Sequence, residues 1–124
     1  VLPMLKSIRP RAAASAARSA AVLRDAAAVV ADRARLLLTR AAREGPDLIW
    51  PRKLLRRERA VTLGCLVKLA AEELVGNRGQ DRLGAESMSQ VLAAIRSVDG
   101  ASREFIVGPI QIVVGDANVH IRGR

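Results

Sequence analysis

Between Arg11 and Arg43 the chain contains no Gly and no Pro, and fourteen of the thirty-one positions from 12 to 42 are Ala. Ala is the best helix former and nothing in the span interrupts the backbone, so one long helix over about 11–43 is expected. At about 1.5 Å per residue it would be roughly 45 to 50 Å long. Pro10 suits the first turn of that helix, which leaves residues 1–9 as an expected disordered or extended N-terminal segment.

Ala13, Ala16, Ala20, Leu23, Ala27, Val30, Ala34, Leu37 and Ala41 follow one another by alternating steps of three and four. That spacing is a heptad seam, and Leu23, Ala27, Val30, Ala34 and Leu37 are its expected oligomer or helix-packing residues. Val22, Val29 and Leu36 form a second stripe beside it, which widens the apolar face and suggests two helical neighbours. Asp25, Asp32 and Thr39 face away.

Gly45 and Pro46 read as the stop of the first helix, and Gly45 to Trp50 as a short connection to an antiparallel partner. Pro51 fits the first position of a second helix, about 51–75, that ends at Gly76-Asn77. Its half from Val61 to Val75 is apolar nearly all round and should be deeply buried, with Gly64 read as a place where a neighbouring backbone comes close. Ser87-Met88-Ser89-Gln90 has the capping-box pattern, and Val91, Leu92, Ile95 and Val98 follow at helical spacing, so a third, short helix is expected over about 85–98. The period then changes to two through Phe105, Val107, Ile110, Ile112 and Val114, and again from Val119 to Arg122. A β-ribbon over about 103–122, bent at Gly108-Pro109, follows from it.

The expected fold is mainly α, of α+β class: a long antiparallel helical hairpin, a short third helix and a C-terminal β-hairpin, forming a single helical domain over 10–124. A two-stranded ribbon is marginal in water, so Ile110, Ile112 and Val114 are expected to pack on the helices or against another copy. A homo-oligomer or a larger complex is therefore anticipated.

The residue inventory argues against catalysis. His120 is the sole histidine and Cys65 the sole cysteine, which leaves no recognisable metal set and no internal disulfide. Cys65 lies on the apolar side of the second helix, where a small core residue is the simpler reading. The glycines at 76, 79 and 84 are not followed by a phosphate-loop Lys, and Glu72 and Glu73, adjacent on a helix, point about 100° apart. A non-enzyme without catalytic residues, metal or cofactor is expected. No apolar run is long enough to span a membrane. The sequence fits a reducing intracellular compartment, the cytoplasm, although residues 1–24 have the Arg, Ala and Ser content, free of acids, of a mitochondrial matrix transit segment.

The net charge of +9 is concentrated at one end: residues 1–60 hold fourteen Lys or Arg against five Asp or Glu, and residues 61–124 hold seven of each. In the segment WPRKLLRRER, Arg52, Lys53, Arg56, Arg57 and Arg59 crowd the expected start of the second helix, where the macrodipole disfavours cations. Glu58 is the only acid among them. An external phosphate would be drawn to such a site, and with Arg40 and Arg43 these residues form the expected surface for nucleic acid or another polyanion. Arg33 is expected near the same corner. Trp50 is the only aromatic nearby, so contacts should go to phosphates rather than bases. A helix-turn-helix over Val61 to Val98 has too long a connection, and a membrane-surface helix would have too few bulky residues opposite the cations. The alternative is a structural or interaction subunit of a larger phage-like, ribosome-associated or organellar assembly, held by helix–helix and β-ribbon contacts.

Overall fold

The computed structural model describes residues 2–76, 84–98 and 101–124, with side chains from residue 12 onward. These residues form α1 (Leu2–Thr39), β1 (Ala42–Glu44), β2 (Asp47–Pro51), α2 (Arg52–Arg56), α3 (Ala60–Val75), α4 (Ala85–Arg96), β3 (Arg103–Val107), β4 (Ile110–Val114) and β5 (Asn118–Gly123). The fold is mainly helical and α+β, with an antiparallel sheet whose strands β3, β4 and β5 form the C-terminal end of the chain. The chain divides into two compact units, Val1–Val30 and Ala31–Arg124.

The first unit is helical. α1 begins at Leu2, so residues 2–9, expected to be disordered or extended, are helix. Pro3 falls in the first turn, where a missing N–H costs nothing, and Pro10 forgoes one bond inside the helix without ending it. Every residue from Ala12 to Val29 is exposed.

The second unit is a five-stranded antiparallel sheet, ordered β1-β2-β5-β4-β3, with helices over one face. Strand alternation sends Leu48, Trp50, Val119, Ile121, Ile112 and Val114 to the helical side, where they are buried. Ala34 and Leu37 of α1, Leu55 of α2, Leu63, Leu66, Val67, Ala70 and Ala71 of α3, and Met88, Val91, Ala94 and Ile95 of α4 complete one core. Ile110, Ile112 and Val114, expected to pack on the helices or against another copy, are fully buried in this core beneath the helices. A sheet of five strands with its own helical cover needs no second ribbon.

The connection expected to be a plain turn between two long helices is itself a hairpin. α1 ends at Thr39, not Arg43, and β1 pairs with β2 through Ala42↔Ile49 and Glu44↔Asp47. Gly45, with φ of 58°, takes the left-handed position of a two-residue turn and Pro46 fills the second place. The residues read as a helix stop are thus a hairpin turn. β2 also pairs with β5, through Leu48↔Ile121 and Trp50↔Val119, which brings the far end of the chain beside it.

The second helix expected over 51–75 is two helices, α2 and α3, separated at Arg57–Arg59. Arg52 and Leu55 are buried in α2, and Thr62, Leu63 and Leu66 in α3. On a continuous helix position 59 would share the face of Arg52, Leu55 and Leu66, and a guanidinium would be driven into the core. The break leaves Arg59 exposed. α4 starts at Ala85 with Gly84 as its N-cap, so the capping box expected at Ser87 lies inside the helix; α4 ends at Arg96 rather than Val98.

Arg52 shows how the elements are joined. Its side chain is buried, and its Nη2 donates to the carbonyls of Ala94 at 2.8 Å and Ser97 at 3.3 Å, while Nη1 donates to Gly115 at 3.2 Å. Its backbone N–H donates to the Ala117 carbonyl at 2.9 Å. The first two carbonyls belong to the C-terminal end of α4, which needs donors and carries the negative end of the helix dipole. Trp50 Nε1 donates to the Leu37 carbonyl at 2.8 Å and ties β2 to the last turns of α1.

Replacing Arg52 by Met should lower unfolding stability by about 3 kcal/mol or more, because several bonds from a charged donor disappear and buried carbonyls are deprived of their side-chain donor. Chemical denaturation measures it, and a change under about 1 kcal/mol would contradict the role. The reading of Gly64 as a backbone contact is not supported, since an added Cβ meets Leu92 Cδ1 at 3.8 Å, an ordinary distance. Gly64→Ala should therefore raise stability by up to about 1 kcal/mol through helix propensity.

Candidate nucleic-acid interface

The cationic segment of the sequence is divided by the fold into internal and external residues. Pro51 ends β2 and Arg52 opens α2, whose buried face is set by Arg52 and Leu55. Arg52 is consequently withdrawn from any external anion, since all its described bonds run to backbone carbonyls of the same chain. Sequence reasoning assigned it to the surface because a buried arginine bound only by carbonyls leaves no acid at a telling spacing.

Lys53, Arg57 and Arg59 are exposed, and Arg56 is half-buried. Among the described residues none of these four meets a carboxylate, and the buried Nε of Arg56 has no acceptor. Glu58, the one acid in their midst, is occupied: Arg33 donates to its Oε1 through Nε at 3.0 Å and Nη2 at 2.5 Å. The hydrogen bond and the charge of Glu58 raise the pKa of Arg33. The carboxylate that sequence alone made available to the local cations is thus taken by a residue of α1.

Arg59 is also the N-cap of α3, which has neither a side-chain cap nor an acid in its first turn. The positive end of a sixteen-residue helix therefore lies beside Arg57 and Arg59. Apart from the paired Glu58, the charges and the helix dipole at this corner of the second unit attract anions.

Arg43 does not belong to it. Its guanidinium pairs with Glu73, near the C-terminal end of α3, about 20 Å along that helix from Arg59. The expectation of one shared corner assumed that Arg43 ended a helix, whereas it lies in β1. Arg40 is exposed in the turn after α1 and has no carboxylate partner among the described residues. Of the seven residues expected to meet an anion, Lys53, Arg56, Arg57 and Arg59 are grouped by α2 and the start of α3, Arg40 stands apart from that sequence segment, Arg43 is paired and Arg52 is internal.

The other candidates have ordinary surroundings. His120 is half-buried on the sheet face opposite the core, with Nδ1 3.5 Å from Asp47 Oδ2, and Arg122 Nη2 lies 3.1 Å from the same oxygen. Cys65 is half-buried against the core cluster. Among the described residues no group of three or more His, Cys, Asp or Glu could hold a metal ion, and no helix is long and apolar enough to cross a membrane.

Arg57→Ala and Arg59→Ala should each leave stability within about 0.5 kcal/mol, as for other surface changes that break no packing. Thermal or denaturant unfolding checks this, and a loss as large as that expected for Arg52→Met would mean that these side chains are also structural. Comparison of the chain with protein-family models, with curated proteins and with solved structures finds no match.

Proposed function

We propose that this protein binds nucleic acid without catalysing a reaction, and that it does so by phosphate contacts at the corner formed by α2 and the start of α3. The observation that carries the reading is the set Lys53, Arg56, Arg57 and Arg59, which has no carboxylate partner among the described residues while the adjacent Glu58 is held by Arg33. Crowded cations repel one another and oppose the dipole of α3, so a phosphate backbone relieves both costs at once. Guanidinium groups suit this role because their forked donors match phosphate oxygens.

Trp50, the one aromatic of this segment, is fully buried and bonded to Leu37, so it is not available to stack on a base. The interface is one of phosphate contacts with weak sequence preference and strong salt dependence. Arg40 extends it if the nucleic acid runs past the turn after α1.

Fluorescence anisotropy with labelled duplex DNA and with RNA over a salt series tests the proposal. Binding should weaken steeply with salt, and on duplex DNA each phosphate that a variant no longer engages should reduce the slope of log K against log salt by about 0.9. Arg57→Ala with Arg59→Ala should lower affinity alike on unrelated sequences and flatten the slope by about two such steps. Absence of binding at the lowest salt, or a double variant that binds like the parent, would overturn the reading.

A further inference from the structure

The exposed helix of the first unit carries a second surface, independent of the cationic corner. Ala13, Ala16, Ala20, Leu23, Ala27 and Val30 share one face by their three-and-four spacing, and no charge interrupts it. Leu23 is 70% exposed and the alanines are exposed with it; Val30 is half-buried. The same spacing continues without a slip to Ala34 and Leu37, which are fully buried in the second unit. One seam is therefore packed from Ala34 onward and bare around Leu23.

We infer that this face is covered by a second copy of the chain, with the two α1 helices antiparallel. The seam alternates a position that is always Ala (13, 20, 27) with one that grows from Ala16 to Leu23 and Val30. In an antiparallel pair whose two-fold axis is level with Ala21 and Val22, Ala20 meets the partner's Leu23, Ala16 meets the partner's Ala27 and Ala13 meets the partner's Val30. Each bulky side chain then lies against a methyl group, so the helices can approach closely without a void. Size complementarity is contained in this one sequence.

The inference uses no residue of the α2–α3 corner and stands or falls separately from nucleic-acid binding.

Light scattering on eluting protein over a rising concentration series, in salt high enough to strip nucleic acid, should reach twice the chain mass of 13.3 kDa. Leu23→Glu and, separately, Ala27→Glu should return the mass to one chain, whereas Asp25→Ser, off the seam, should keep the dimer. Both glutamate sites are exposed in the single chain, and unchanged unfolding of the second unit verifies that the fold is intact. Orientation is read by cross-linking in a Cys65→Ala background. Ala16→Cys protein mixed with Ala27→Cys protein should form disulfide dimers, and Ala16→Cys protein alone should not. A mass that stays at 13.3 kDa, a Leu23→Glu protein that remains dimeric, or efficient self-linking of Ala16→Cys protein overturns the inference.

Discussion

The buried guanidinium of Arg52 is the constraint on which the second unit depends. It joins three segments distant in sequence: the start of α2, the C-terminal end of α4 and the turn between β4 and β5. A guanidinium can do this because its donors fan out in one plane and satisfy several carbonyls at once, whereas Lys would present a single point. The charge is taken out of water without a carboxylate. Carbonyl dipoles at the C-terminal end of α4 offset that cost. With Arg52 held there, Trp50 two residues earlier is buried on the inner face of β2 with its indole N–H directed to the end of α1.

Once Arg52 points inward, the cations that follow have to point elsewhere. The core needs Leu55 and then Leu63 and Leu66, and a single helix through all of them would also bury position 59. The chain breaks at Arg57–Arg59, and the break puts the positive end of α3 among the surplus cations. Packing and electrostatics are in conflict here, and packing prevails: burial of several apolar side chains is worth several kcal/mol, while each exposed cation at a helix start costs tenths. The unrelieved charge is what remains for a partner to use. Arg33 reduces it no further, because it brings its own positive charge to Glu58.

Gly-Pro occurs twice in this chain, and the two places explain much of what was legible. Gly108-Pro109 lies between strands whose alternation announces them and reads there as a bend in the ribbon; it is the hairpin turn between β3 and β4. Gly45-Pro46 follows a long helical stretch, so the same dipeptide reads as a helix stop; there too it is a hairpin turn, with φ positive at the glycine in both cases. β1 holds only three residues, and the Leu48-Ile49-Trp50 centre of β2 is apolar throughout and does not alternate, so neither declares a period. β2 exists as a strand because β5 lies beside it, and that neighbour is supplied by the far end of the chain.

Local pattern in the amino-acid string was enough for the long first helix, the helical run toward Val75, the short helix before Asp99 and the alternating strands at the end, because each has a period that one residue type or spacing reveals. It was also enough to locate the surplus of positive charge in the first sixty residues. Which arginine is internal, which is paired with Glu58 or Glu73, and which remain without a carboxylate depended on contacts between residues 25 to 63 apart. No spacing in the string encodes those contacts, because charge acts through space and only the folded chain sets the distances and the burial that govern its strength.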